Sequence, residues 1–357
     1  MLWVDKYRPT ELGKMSYHVE LSSRLGRLAE EGDIPHLLFY GPNGAGKKTR
    51  IMALLRALYG PGAEKQRLEH REFKTPTQKT IEVTTVASNY HIEINPSDAG
   101  NNDRFVVQEV IKEIATSGSL HAGAKGSGGK VGFKVVLLVE VDRLSRQAQA
   151  GLRRTMEKCT STCRLVLCCN NPSKVIDPLR SRCLGIRVGA PTEDEVVAVL
   201  EGVAAKERFD LPPPLAARIA KASRRNLRRA LLSLEECKVK GGLPLDPAMA
   251  VDRPDWEQYV CAIAQDISRE QSPQRLLATR DKLYELLSKC IPAEVILKTL
   301  TRELLKNLDD ELKAELVKWA AFYEHRVTQG NKEIFHLEAF VAKFMCLYKK
   351  FMLEMFA

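Results

Sequence analysis

His36-Leu37-Leu38-Phe39-Tyr40-Gly41-Pro42-Asn43-Gly44-Ala45-Gly46-Lys47-Lys48-Thr49 is the stretch that decides the fold. Its apolar run reads as a buried strand that stops at Gly41. Beyond Lys47, the residues Ile51, Leu54, Leu55 and Leu58 fall on one face of a helix. A glycine-rich turn between a strand and a helix is where a phosphate-binding loop lies. The glycines let backbone N–H groups converge on phosphate oxygens, and the helix N-terminus adds positive potential. Gly41, Pro42, Asn43, Gly44, Ala45, Gly46 and Lys47 are therefore candidates to hold a nucleotide, with Lys47 reaching the β- and γ-phosphates.

The next positions depart from the pattern. A Ser or Thr whose hydroxyl holds Mg²⁺ belongs after the lysine, and Lys48 stands there. Thr49 comes one residue late, which on a helix turns its hydroxyl about 100° away. A second ammonium beside the phosphates also repels a divalent cation. The partner strand Val135-Val136-Leu137-Leu138-Val139-Glu140-Val141-Asp142 tells a matching story. The metal-holding Asp is replaced by Val139, while Glu140 remains where a water-activating carboxylate belongs. Sliding the register to Asp142 puts Arg143 in the base position, so neither alignment gives a complete pair. The expectation is nucleotide binding without efficient hydrolysis, with no protein metal ligands. The rival is a working ATPase with an unusual metal site.

Outward from the loop, Tyr90 to Ile94, Lys134 to Val139 and Arg164 to Cys168 read as further strands. Helical stripes lie between them: Val107, Val110, Ile111 and Ile114, then Ala148, Leu152 and Met156. That alternation is an α/β layer fold. His121 to Gly132 carries five glycines and reads as a flexible loop. After Ala190-Pro191-Thr192 the strands stop. Val196, Leu200 and Val203, then Leu215 and Ile219, then Leu227, Leu231 and Leu234 predict a helical lid. Gly241 to Pro254 reads as a linker, and everything beyond is helical in pattern. In the last helix Leu337, Phe340, Val341, Phe344, Tyr348 and Phe351 form a stripe: bundle core, or in part a face toward sister subunits. The domains are thus 1–189, a nucleotide-binding domain; 190–241, the lid; 242–254, a linker; and 255–357, a helical oligomerisation domain.

The 357 residues are 44% hydrophobic and 28% charged, with a net charge of +10. The basic pairs (Lys47-Lys48, Arg153-Arg154, Arg224-Arg225, Arg228-Arg229, Lys349-Lys350) are dispersed, so charge alone leaves nucleic-acid contact open. No apolar run approaches the roughly 18–20 residues that cross a bilayer. The start lacks the layout of a signal peptide, so cytosol or nucleus is expected, without a membrane. Nine cysteines, an odd count with Cys168 and Cys169 adjacent, read as buried or half-buried free thiols. Cys159 and Cys163 lack the second pair a zinc site needs.

Four further motifs coincide: Trp3-Val4-Asp5-Lys6-Tyr7-Arg8-Pro9, Leu152-Arg153-Arg154-Thr155-Met156-Glu157, Ser181-Arg182-Cys183 and Asn226-Leu227-Arg228-Arg229-Ala230-Leu231. With the loop at 44–50, they make the chain, from Trp3 to about Phe351, resemble the small subunits of replication factor C, the eukaryotic sliding-clamp loader. The resemblance implies an AAA+ P-loop parallel-sheet domain with a helical lid, then an all-α collar that joins this chain to four other loader subunits. It implies bound ATP or ADP, with the adenine wrapped by the N-terminal stretch (Val4, Tyr7, Arg8, Pro9). Loop residues including Lys48 and Thr49 line the site, Asn170 is its polar sensor and Arg228 its lid sensor. Arg182 becomes an arginine finger acting in trans on the adjacent subunit, and Glu140 is a vestigial base. Primer-template DNA is held by backbone contacts, for which Arg104 and Lys112 are candidates. The other implied partner is the proliferating-cell nuclear antigen ring, loaded in replication and repair, and the location is the nucleus. Alternative loaders sharing the small subunits are a further possible setting.

Taken singly, these residues have plainer readings. Arg182 could pair locally with Asp177, and Asn170 could be a turn residue before Asn171-Pro172. Arg228, Arg104 and Lys112 could be solvated surface charge. Two other classes remain open on sequence: an autonomous AAA+ ATPase such as a helicase loader, and a non-catalytic scaffold with a vestigial site.

Overall fold

Among the described residues, seven strands form one sheet in the order β2-β3-β4-β5-β6-β1-β7. They are β1 (Leu37–Tyr40), β2 (Arg67–Lys74), β3 (Thr80–Ala87), β4 (His91–Ile94), β5 (Lys134–Leu138), β6 (Cys163–Cys169) and β7 (Leu184–Arg187). This computed structural model describes residues 1–74, 80–107, 109, 132–158, 162–242, 244–330 and 332–356. Contacts divide the chain into two units, Met1–Val251 and Asp252–Ala357.

In the first unit β4, β5, β6, β1 and β7 run parallel, with Leu37 opposite both Val166 and Leu184. Their continuous apolar sequences follow from burial on both faces. Leu37, Phe39, Val135, Leu137 and Val166 face one layer, together with Leu25 of α2 (Val19–Glu31) and Ile51 and Leu54 of α3 (Lys47–Tyr59). Leu38, Val136, Leu138, Leu165 and Leu167 face the other, against Ala148, Leu152 and Met156 of α4 (Arg146–Lys158). A short N-terminal helix, α1 (Trp3–Lys6), precedes them. The parallel strands end together at the β1–α3 turn, the usual ligand edge of such sheets.

Three strands are absent from the sequence reading. β2 and β3 pair antiparallel from Arg67↔Ala87 to Lys74↔Thr80. β2 is mostly charged, Leu68 is exposed, and Phe73 is its buried apolar side chain, so no apolar run announces it. β7 buries only Ile186 and lies at the sheet edge. The stretch 121–131, and Val110, Ile111 and Ile114 of the expected stripe, lie outside the described residues.

The lid is α6 (Glu193–Lys206), α7 (Pro213–Ala222) and α8 (Leu227–Gly241), following the four-residue α5 (Asp177–Arg180). It begins with a capping box. The Glu195 amide donates to Thr192 Oγ1 at 3.2 Å, and the Thr192 amide donates to Glu195 Oε2 at 2.7 Å, an arrangement that stabilises a helix start by about 1 kcal/mol. Leu200, Ile219 and Leu234 form its core, and Trp3 packs into it, stacked on Phe209 at 5.8 Å.

The second unit is a bundle of α9 (Asp255–Arg269), α10 (Pro273–Ser288), α11 (Ala293–Leu304), α12 (Asp310–Gln329) and α13 (Glu333–Phe356). Ile296 and Phe340 are fully buried in its core. Leu337, Phe340, Val341 and Phe344 belong to that core, and Tyr348 packs against it. The stripe is therefore used mainly within the chain. No helix among the described residues is long and apolar enough to cross a membrane. The described cysteines are free thiols. Cys290 and Cys346 are exposed, which corrects the expectation of burial for all. Cys159 lies outside the described residues.

Candidate nucleotide site

The loop between β1 and α3 takes its shape from glycines with left-handed backbones. Gly44 and Gly46 have φ of 74° and 79°. A Cβ on Gly46 would sit 2.2 Å from the Tyr17 hydroxyl, and one on Gly44 would sit 1.9 Å from Asn226 Oδ1. The second contact brings the lid onto the loop, since Asn226 is the N-cap of α8 and the Leu227 amide donates to the Gly44 carbonyl at 3.3 Å. The loop is also braced from α3. Arg50 is fully buried, lies 4.4 Å from the Tyr17 ring, and donates to the Tyr17 and Ala45 carbonyls at 2.8 and 3.3 Å. The Tyr17 hydroxyl donates to Ala45 O at 3.0 Å.

Lys47 is buried, and its ammonium donates to Gly41 O (2.7 Å), Pro42 O (2.9 Å) and Asn170 Oδ1 (2.8 Å). Burial holds its pKa below the usual lysine range, with Arg228 of the lid adding in the same direction. Asn170 stands at the end of β6. It is set there by Asp142, whose Oδ2 accepts from the amides of Asn170 and Asn171, each at 3.3 Å. The structure thus brings Lys47, Asn170 and the loop together, and Asn170 is more than a turn residue. A cationic group held only by neutral acceptors, under a loop where side chains cannot fit, suits a nucleotide phosphate.

The metal side is different. Lys48 Nζ donates to Glu93 Oε1 at 2.5 Å; that carboxylate is only 12% exposed and stands on β4, the strand where the sheet passes from antiparallel to parallel pairing. Glu140 adopts a left-handed backbone (φ 56°) and is paired with Arg143 at 3.1 Å. Val139 packs with the apolar layer. No group of three acidic, His or Cys side chains among the described residues is arranged to hold a metal. An ammonium therefore stands where Mg²⁺ needs a hydroxyl, and these residues do not fit the ion.

Beside the loop a cavity is lined by Val4, Tyr7, Arg8 and Pro9, by Tyr17 and Thr49, and across it by Val199, Val203, Arg228 and Leu231 of the lid. Its largely apolar wall suits a purine ring. Thr49, turned from the metal side, contributes here. Arg228 is exposed yet lines this cavity, so it is not merely surface charge. Glu207 ties the N-terminal segment to the lid. Its carboxylate accepts from Lys6 at 2.6 Å, from Lys238 at 3.2 Å and from the Tyr7 hydroxyl. The hydrogen bonds from Lys6 and Tyr7 lower its pKa to about 2.

Arg182 lies away from this cavity and is half-buried. Its Nε and Nη2 donate to Glu157 Oε1 at 3.0 and 2.8 Å, and its Nη1 donates to Pro178 O at 2.8 Å. The local partner weighed from sequence, Asp177, pairs with Arg180 instead, because residues three apart share a helical face. Arg104 is exposed in the first turn of a helix, behind Asp103, which is buried and accepts from the Ser145 amide and hydroxyl at 2.6 and 2.9 Å. Lys112 lies outside the described residues. Sequence reasoning gave no role to Glu93, Glu207, Tyr17 and Arg50, and named Glu157 and Asn226 only as motif members. An acid inside an apolar strand was the available signal for Glu93. The others are fixed by distant partners.

Three family models match. "Replication factor C subunit 3, C-terminal domain" covers residues 256–352, "RCF1/5-like, AAA+ ATPase lid domain" covers 198–239, and "DNA polymerase III, delta subunit" covers 17–191. Replication factor C subunit 3 from Bos taurus and from Homo sapiens are each 56% identical over 98% of this chain and 97% of theirs. The Arabidopsis thaliana protein of that name is 54% identical over the whole of both chains. Among solved structures, a Thermotoga maritima RuvB chain superposes with a TM-score of 0.51 at 18% identity, over 84% of this chain and 90% of that one. That is a likeness of fold.

Proposed function

The chain belongs to the replication factor C subunit family, and from that premise we propose that it is a clamp-loader subunit that binds nucleotide, hydrolyses it poorly, and serves a neighbour's ATP site through Arg182. Membership makes it part of a multi-subunit clamp loader in DNA replication. In the fuller reading the loader opens the proliferating-cell nuclear antigen ring at primer-template junctions in the nucleus. Arg104 then touches the DNA backbone, where contacts read shape rather than sequence.

The observation that carries the quiet-site reading is the Lys48–Glu93 pair at 2.5 Å. In related nucleotide hydrolases a metal bridges the β- and γ-oxygens and neutralises developing charge. Here Lys47 and the loop amides would hold the phosphates, and the N-terminal segment and lid would enclose the base. Val139 supplies no metal ligand, and Glu140 is engaged by Arg143. With a nucleotide bound, the loop and the lid residues Val199, Val203, Arg228 and Leu231 would be held together, which would fix the shape this subunit presents to its neighbours. Arg182 sits on a different surface, as a residue acting outside its own site must.

Equilibrium binding of a fluorescent ATP analogue to the chain, with Mg²⁺ and then with EDTA, tests the reading. Affinity should be unchanged within about twofold. A loss of tenfold or more, about 1.4 kcal/mol, would show a metal-dependent site and overturn it.

A further inference from the structure

A guanidinium carries five N–H donors. In Arg182 the Nε–H and one Nη2–H are taken by a single oxygen of Glu157, at 3.0 and 2.8 Å, and one Nη1–H is taken by the Pro178 carbonyl at 2.8 Å. Nη1 also lies 3.5 Å from Ser181 Oγ, a contact too long to hold it firmly, so one N–H on each terminal nitrogen stays available, the pair that grips two oxygens of one phosphate. Glu157 and Pro178 also line a shallow surface depression with Arg153, Arg154 and Ile176. Arg153 lies 3.9 Å from the same Glu157 oxygen, so that carboxylate is shared by two arginines.

We propose that Glu157 is a positioning residue for Arg182: it holds one side of the guanidinium so that the Nη1/Nη2 edge is presented, already oriented, to a phosphate carried by the neighbouring subunit. This rests on the reading of Arg182 as a residue that acts in trans. Arginine has several rotatable bonds and loses rotamer freedom when fixed. A carboxylate and a carbonyl holding it beforehand remove that loss from the step in which the phosphate is engaged. Glu157 lies one helical turn beyond Arg153 on α4, while Arg182 follows α5. The finger's aim is therefore set by the packing of two elements, α4 and α5, rather than by the Ser181-Arg182-Cys183 loop alone. Misplacement of a catalytic group by about 1 Å can cost as much as 10²-fold.

The test uses the reconstituted loader carrying Glu157→Ala, Glu157→Gln, Arg182→Ala or the Glu157→Ala/Arg182→Ala pair, with DNA-stimulated ATP turnover as the readout. Glu157→Ala should lower kcat by at least half of the fall caused by Arg182→Ala, with KM for ATP unchanged and assembly intact by gel filtration. Glu157→Gln, which keeps the accepting oxygen without the charge, should recover most of that loss. Adding Glu157→Ala to Arg182→Ala should change nothing further. If Arg182→Ala lowers kcat while Glu157→Ala leaves it intact or raises it, Glu157 does not position the finger. An additive double variant would contradict the proposal equally. Unchanged turnover in Arg182→Ala itself would instead overturn the trans role, a distinguishable result.

Discussion

Lys48 Nζ and Glu93 Oε1 stand 2.5 Å apart, joining the first turn of α3 to the middle of β4, where a hydrolytic site would hold its metal. Glu93 Oε2 is buried without a hydrogen-bond partner, so the carboxylate depends on Lys48 for compensation. Removing one member of such a pair leaves a charge stranded, which costs more than the pair is worth. Lys48→Thr should therefore lower Tm, by several degrees, and Lys48→Thr with Glu93→Gln should recover part of the loss. The single variant also replaces an ammonium by a hydroxyl beside an unpaired carboxylate. Its nucleotide affinity should gain a Mg²⁺ dependence of about tenfold, measured by titration with and without EDTA. Turnover should stay low, because Val139 offers no ligand.

Gly44→Ala should separate lid from loop. A left-handed backbone costs an L-residue roughly 1–2 kcal/mol, and the new methyl would overlap Asn226 Oδ1. Nucleotide affinity should fall by about tenfold or more. The Asn226→Gly variant, which makes room for the methyl, should relieve the steric part when combined with it. Binding assays on the three variants check this.

Glu207→Gln should loosen the N-terminal segment from the lid, weaken nucleotide binding and lower Tm at neutral pH. The sign with pH follows from its depressed pKa of about 2 against an ordinary 4.5. The carboxylate's contribution is fully present above the ordinary value and disappears as pH falls toward 2. The Tm gap between wild type and Glu207→Gln should be largest at pH 6–7 and shrink steadily below pH 4.5. A gap independent of pH would contradict the ionic origin.

Phe340→Ala removes a fully buried ring from the second unit and should destabilise it by about 3–5 kcal/mol. Trp256 and Trp319 both lie in that unit, so tryptophan fluorescence during denaturation follows the loss. Phe335→Ala, on the exposed side of the same helix, should leave that transition unchanged.

The parts of this molecule that sequence made legible are those written in neighbouring residues. The loop at 41–47, the apolar strands around it, the 3.6-residue stripes of the lid and the Leu337–Phe344 core face each need only local periodicity. β2 was invisible because charged side chains alternate along an exposed strand, leaving only Phe73 to show burial. Site chemistry was half legible. Lys48 and Val139 announce a defective metal side, but that Lys48 meets Glu93 is a pairing across 45 positions, which no spacing rule supplies. Likewise Arg182 meets Glu157 rather than the nearer Asp177, because Arg180 takes Asp177 on the shared face of α5.

On the function proposed, this chain serves a neighbour's ATP chemistry more than its own. The most direct measurement is DNA-stimulated ATP turnover of the reconstituted complex, with Lys47→Ala and Arg182→Ala compared separately against wild type. A large loss with Arg182→Ala beside a small loss with Lys47→Ala is the predicted result. The reverse pattern would mean that the chain hydrolyses ATP itself, and would contradict the account built on Lys48 and Val139.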